Sequence, residues 1–137
     1  MSQLIIKKFS NPDERRPFVA RGHADILEFE GGTIGMAVFE PGWKWSKDVQ
    51  PLVGTQSCQV PHFCYYVSGR MAVVMDDGTR GELGPGDVAF ISPGHDAWVI
   101  GDEPCVMLDF AGMHTYAQPQ EPARQPGEAE QSGPTVH

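Results

Sequence analysis

The sequence predicts an all-β domain of two packed antiparallel sheets, and three observations carry that expectation. Sixteen Gly and twelve Pro among 137 residues interrupt the chain too often for long helices and suit short strands joined by tight turns. Segments rich in β-branched, apolar and aromatic residues recur at short intervals, over residues 24–29, 33–40, 63–67, 71–75, 88–91, 97–100 and 105–110. Turn chemistry separates them, most clearly at the Asp77-Gly78 pair and around Gly84, Gly86 and Gly94.

The elements follow in order. Residues 24–29 and 33–40 flank Glu30-Gly-Gly-Thr33, a tight-turn sequence that pairs them as a hairpin. Residues 46–61 contain Pro51, Gly54 and Pro61 and form a long, mostly irregular connection, the kind of loop that serves function. Residues 63–67 and 71–75 are the next strands. In Met71-Ala-Val-Val-Met75 apolar side chains fill both faces, which predicts a central strand covered on two sides. Asp76-Asp-Gly-Thr79 then supplies a two-residue hairpin turn. Gly84-Pro-Gly-Asp-Val-Ala-Phe-Ile-Ser-Pro-Gly-His95 reads as a turn, a short apolar strand, a second turn and an imidazole at the end of a β-structure. Asp87 there belongs to the turn, accepting from backbone amides.

A chain of this length holds one core. Its organisation is an N-terminal extension over residues 1–23, in which residues 4–8 are a candidate edge strand, a barrel over 24–117 and a tail over 118–137. The tail is dominated by Pro, Gln, Glu, Gly and Ala and lacks the apolar area to offset its ordering entropy.

A formal net charge of −8 and a pI of about 4.9 argue against nucleic acid and anionic membranes as partners. Half of the ten basic residues, Lys7, Lys8, Arg15, Arg16 and Arg21, lie near the N-terminus, as a solvated face or as a patch for an anionic ligand. Neither a secretory signal nor eighteen consecutive apolar residues occurs, so the expected location is cytoplasmic. Three cysteines without zinc-finger spacing are expected to be free thiols. Phosphate-cradling, dinucleotide-binding and Gly-x-Ser-x-Gly motifs are absent, which disfavours nucleotide enzymes and α/β-type serine hydrolases.

Two segments, Glu40-Pro-Gly-Trp-Lys-Trp-Ser with Val60-Pro-His-Phe-Cys-Tyr-Tyr-Val-Ser-Gly-Arg70, and Gly84 to His95, resemble the paired motifs of the cupin family across roughly residues 24 to 112. The resemblance implies a double-stranded β-helix, a jelly-roll barrel of two antiparallel sheets. In that family three histidines and a glutamate hold a divalent metal inside the barrel. Aligned on Gly42 and Gly69, Asp48 and Gln50 take two histidine positions and His62 takes the glutamate position. In a second register Gln56 and Cys58 take those histidine positions. Aligned on Gly86 and Gly94, the third histidine position falls on Ala97. The usual ligand set is therefore altered.

The residues present still suggest a site. Alternate residues of an extended chain share a face, so Cys58, Val60, His62, Cys64 and Tyr66 point one way, and His95 and Ala97 share a parity. Facing inward, His62 and His95 meet across the barrel, with Cys58, Cys64 or Asp48 completing three or four donors for a divalent metal such as zinc, iron, manganese or nickel. Against this stands an ordinary role for His95 as a turn donor and for the cysteines as small buried hydrophobes. Trp43, Trp45, Trp98, Tyr65, Tyr66 and Phe63 concentrate around the motifs, either as stacking surface for a ligand or as core and dimer-interface packing. The candidate ligand pocket is His62, Cys64, Tyr66, His95, Trp98 and Trp45. Three function classes follow: a barrel binding a small organic molecule, a metal-dependent oxygenase, isomerase or lyase using His62 and His95, and a dimerisation scaffold. A homodimer is the expected assembly, by edge pairing between chains.

Overall fold

A computed structural model describes residues 2–119. The predicted tail enters it only at its first two positions and otherwise lies outside the described residues. Nine strands are present among the described residues: β1 (Glu14–Pro17), β2 (Gly22–Phe29), β3 (Gly32–Phe39), β4 (His62–Ser68), β5 (Arg70–Met75), β6 (Arg80–Leu83), β7 (Val88–Ile91), β8 (His95–Ile100) and β9 (Cys105–Asp109). They form a six-stranded sheet in the order β1-β2-β3-β9-β4-β7 and a three-stranded sheet in the order β6-β5-β8, and every pairing is antiparallel. No helix among them is long and apolar enough to cross a membrane.

Seven strands coincide with the apolar segments of the sequence. The two that carry no such signal are β1, with sequence Glu-Arg-Arg-Pro, and β6, Arg-Gly-Glu-Leu. Both are edge strands, where one face or more meets water and charged side chains discourage pairing with another chain. Because β1 and the start of β2 belong to the large sheet, the barrel begins near Glu14 and not at residue 24. The candidate edge strand at residues 4–8 is not a strand. Strand β5 is the centre of its sheet with Met71, Ala72 and Val73 buried, as its unbroken apolar run predicts.

The β5–β6 turn is longer than the two-residue hairpin expected. Gly78, at φ +93°, donates to the Met75 carbonyl while the Met75 amide donates to Thr79; a left-handed residue closing a three-residue loop is the usual alternative use of Asp-Gly. The connection at residues 46–61 also gains structure, as α1 (Trp45–Asp48) and α2 (Gln50–Val53), each a single turn. Pro51 suits the first turn of α2, where its missing N–H loses nothing, and Gly54 ends it in the left-handed conformation.

Side chains from both sheets fill the space between them. At one end Phe18, Phe39 and Trp43 cluster, with Phe39 and Trp43 centroids 4.3 Å apart. The outward face of the large sheet is apolar too, exposing Phe63, Tyr65, Val67, Val88 and Phe90. After β9 the chain turns back over residues 111–118 as a strap whose Met113 and Tyr116 side chains are buried in the core. Arg16 holds this strap: its guanidinium donates to the carbonyls of Met113 at 2.6 Å, Tyr116 at 2.8 Å and His114 at 3.2 Å, and to both carboxylate oxygens of Glu14.

Three carbonyls satisfied by one nearly buried cation make Arg16 a stability determinant. Arg16→Met should lower unfolding free energy by about 2–4 kcal/mol, given charge-assisted bonds lost and acceptors left behind. Urea denaturation measures the loss. Amide hydrogen exchange should show it concentrated in residues 112–118, and a change below about 0.5 kcal/mol would mean that the strap holds itself.

Candidate metal centre

Three elements bring Cys58, His62 and His95 together. From Cys58 to Tyr66 burial alternates strictly, so Cys58, Val60, His62, Cys64 and Tyr66 all face inward and Pro61 does not disturb the parity. His95 opens β8 in the other sheet, on the same inward face as Ala97 and Val99. An isolated bridge joins the two: the Cys58 amide donates to the His95 carbonyl at 2.8 Å, and the Gly94 amide donates to the Cys58 carbonyl at 2.7 Å. Adjacent residues of such a bridge project side by side. The His62 and His95 rings meet at 5.4 Å between centroids and 66° between planes, and one donor atom from each of Cys58, His62 and His95 lies within 4.8 Å of the others.

Hydrogen bonds fix which ring nitrogens face the group. His62 Nδ1 donates to Asp109 Oδ2, and His95 Nδ1 donates to the Ser92 carbonyl at 2.8 Å. A carbonyl and an ionised carboxylate only accept, so both Nδ1 atoms carry a proton and each Nε2 is the ring nitrogen left to face the group. His62 Nε2 stands 3.7 Å from Cys58 Sγ, close to the roughly 3.6 Å that separates sulfur and nitrogen in a tetrahedral zinc site with Zn–S near 2.3 Å and Zn–N near 2.0–2.1 Å. Histidines tied through Nδ1 to a carboxylate or carbonyl are the usual support of metal ligands. The group can hold a metal ion.

Charge is tuned around it. Asp109 has no exposed surface; burial raises its pKa, but the bond to His62 and the amides of Ala111 and Gly112, at 2.9 and 3.1 Å to Oδ1, bring it below the ordinary value. Burial lowers the His62 pKa, and Asp109 and Cys58 outweigh it, raising the value to about 9. Burial likewise raises the Cys58 thiol, and hydrogen bonds from His62 and His95 reverse that, lowering it to about 6. Without metal the pair is thiolate and imidazolium. Cys64 and Cys105, which lack such partners, are pushed by burial up to about 12.

Beside these donors lies a cavity of about 20 Å³ lined by Trp43, Trp45, Tyr66, Val73, Ile91 and Tyr116 together with the two histidines. That is room for one or a few water molecules. It is far below the roughly 300 Å³ at which pockets for organic ligands begin. The Tyr116 ring, delivered by the strap, lies edge-on to His62 at 5.1 Å.

No family model matches the sequence, and no curated protein matches it. Solved structures do. A Rhizobium leguminosarum protein of unknown function is 15% identical, with 87% of this chain and all of that one covered at a TM-score of 0.57. An uncharacterized Klebsiella pneumoniae protein with a double-stranded β-helix domain is 17% identical, covering 80% of this chain and 90% of its own at 0.52. A sugar phosphate isomerase of the cupin superfamily from Silicibacter pomeroyi is 23% identical, covering 72% and 70% at 0.50. This chain has the cupin fold.

Within the cupin barrel the sequence-derived candidates separate. Cys58, His62 and His95 converge, and Tyr66 and Trp45 line the adjoining cavity. His95 also fills its alternative role as a turn donor, since one ring nitrogen serves each purpose. Asp48 is corrected: α1 carries it away from the group, and its buried carboxylate accepts from Arg21 Nη1 at 3.0 Å and the Lys44 amide at 3.1 Å. Trp98 is corrected as well. It has the opposite parity to His95 on β8 and lies on the outer face between Lys44 and Arg80, whose charged groups sit 5.5 and 5.0 Å from its ring. Cys64 faces inward but does not line the cavity, its thiol directed to the Ala89 carbonyl. Asp87 accepts from the Gly84 amide at 2.8 Å, as its turn sequence indicates. Asp109 was not recognised from sequence; the only sign of it is a charged residue at the buried parity of an apolar strand, after Cys105 and Met107.

The two shifted groups set a pH window for the metal-free protein. Cys58 has a lowered pKa, so its contribution to stability is full above the unfolded value of 9.0 and is lost as pH falls through about 6. His62 has a raised pKa, so its contribution is full below 6.5 and is lost as pH rises through about 9. Their opposing slopes offset, so these two groups together leave the stability of metal-free protein nearly level between about pH 6 and 9. Thiolate ultraviolet absorbance should grow in with a midpoint near 6 and be missing in Cys58→Ser; an unchanged profile in that variant would refute the assignment.

Proposed function

We propose that this protein is a metal-binding cupin that holds one transition-metal ion through Cys58 Sγ, His62 Nε2 and His95 Nε2 and presents it to a small ligand in the adjoining cavity. The observation that carries this reading is the double commitment of Nδ1. Asp109 and the Ser92 carbonyl each accept one Nδ1–H, which leaves both Nε2 atoms to face the Cys58 sulfur, with one donor atom of each residue within 4.8 Å of the others. Without metal a proton on His62 faces the Cys58 thiolate, and a metal ion can take that proton's place. One thiolate and two imidazoles suit zinc or iron(II), whereas manganese and other oxygen-preferring ions fit this set poorly. Three protein donors leave a position for an exogenous ligand, as catalytic zinc sites do. Such an ion would supply Lewis acidity or one-electron chemistry.

The chain's own residues define the rest. Asp109 and Ser92 orient the imidazoles, Cys58 tempers the ion's charge, and the strap excludes bulk water. The small cavity weighs against a barrel that stores an organic molecule, because such a ligand needs the strap and Tyr116 to move. Structural relatives that include an isomerase share the fold at low identity, so their activities do not transfer to this site.

Mass-spectrometric metal analysis of tag-free protein, reconstituted with zinc or iron(II) and desalted, should give one ion per chain. His62→Ala and His95→Ala should abolish stoichiometric binding. Asp109→Asn, which keeps the shape and alters the support of His62, should weaken affinity about 10- to 100-fold. Substoichiometric metal in the reconstituted wild type, or full loading of the His62→Ala variant, would end this reading.

A further inference from the structure

Two indoles stand in the wall of the same cavity with unused donors. Trp43 and Trp45 are each 2% exposed, both line the cavity beside His62 and His95, and no protein atom accepts a hydrogen bond from Nε1 of either. A buried N–H without an acceptor is rare because it forfeits its bond to water for nothing. Phenylalanine would fill an apolar wall without that loss. Among buried side-chain polar atoms of the described residues these two Nε1 atoms are the unsatisfied ones, and both belong to residues of one small chamber. Trp43 sits in the turn after β3, and Trp45 opens α1.

We infer that the cavity binds a small anion that accepts from both Trp43 Nε1 and Trp45 Nε1; the inference rests on the metal centre proposed above for the anion's third anchor. Size limits the ligand: about 20 Å³ is room for roughly one or two water-sized groups, so only a very small species fits. Electron count excludes neutral water. A ligand that fills an open coordination position and accepts from two donors needs three lone pairs, which neutral water lacks and which hydroxide, azide or formate has. Two fixed N–H dipoles in a dry, aromatic-walled site also favour negative charge over a neutral guest. Trp43 and Trp45 are thus positioned as an anion-holding pair, and the ligand class is a small monoanion, not an extended organic substrate.

The test uses cobalt(II)-loaded protein of measured metal content, titrated with azide and separately with formate while the visible cobalt spectrum is followed. One anion per chain should bind. Trp43→Phe and Trp45→Phe should each weaken it about tenfold, and the double variant about a hundredfold, with metal content unchanged. Equal affinity in all four proteins, or no anion binding by the loaded wild type, would overturn the proposal. A second measurement needs no variant. In protein with nitrogen-15-labelled tryptophan and zinc bound, azide should move two indole N–H resonances and leave that of Trp98, on the outer face, in place; movement of none, or of Trp98 alone, overturns it equally. Failure to load metal refutes the metal centre instead, and is read from the metal content before any anion is added.

Discussion

Asp109 carries a carboxylate with no exposed surface, and a charge so placed is tolerated only where the protein matches it with donors. Three surround it. The amides of Ala111 and Gly112 bond to Oδ1, and His62 Nδ1 bonds to Oδ2. The second of these relations fixes the tautomer and angle of His62, and so directs Nε2 toward Cys58 and the neighbouring sheet. The register of β4 on β9 places Cys64 opposite Asp109, so the sheet itself brings the carboxylate within reach of a histidine two residues before Cys64. The lowered thiol pKa of Cys58 then follows from an imidazole that Asp109 holds protonated.

The first relation does different work with the other oxygen. By taking two successive amides, Oδ1 starts the turn that sends residues 111–118 back across the barrel. Gly112 has to lie close: a Cβ there would stand 2.9 Å from His62 Nδ1 and 2.4 Å from the Pro61 carbonyl oxygen, so even alanine would push the turn off the histidine. Arg16 secures the far end through three carbonyls. One buried anion and one buried cation therefore anchor the two ends of the strap. Orientation of the site and closure of the barrel are consequences of the same carboxylate, one through each of its oxygens.

Much of the fold was legible in the sequence because a strand buried on one face or both leaves an apolar or alternating record. Strands β1 and β6 left none, since edge positions facing water carry Arg, Glu and Pro. The site was legible to the extent that it lies on strands. Parity alone put Cys58, His62 and His95 on inward faces. Asp48 and Trp98 failed for separate reasons. Asp48 lies on a single helical turn, where period-two reasoning does not apply, and Trp98 is one residue out of phase with His95. Asp109 was hidden because its role depends on two pairings remote in sequence, β4 with β9 and the strap with β9. An acidic residue ending the apolar strand Cys105–Asp109 looks like a boundary until its inward parity is considered.

Charge balance ties the indole pair to the rest of the centre. Cys58, His62 and Asp109 together make a thiolate, an imidazolium and a carboxylate in the metal-free protein, a sum of one negative charge in a dry interior. Replacing the shared proton on His62 with a divalent ion brings that sum to neutrality, so the protein matrix that tolerates the first state has no difficulty with the second. Adding a small anion restores one negative charge, now displaced toward the cavity, away from the amides that serve Asp109. The groups that line the cavity are aromatic and aliphatic, and among them only Trp43 and Trp45 combine a buried N–H with the lack of any protein acceptor. Two indole N–H groups without a protein acceptor, on residues that line the cavity, are the donors available to compensate such a charge, a use for tryptophan that phenylalanine could not serve.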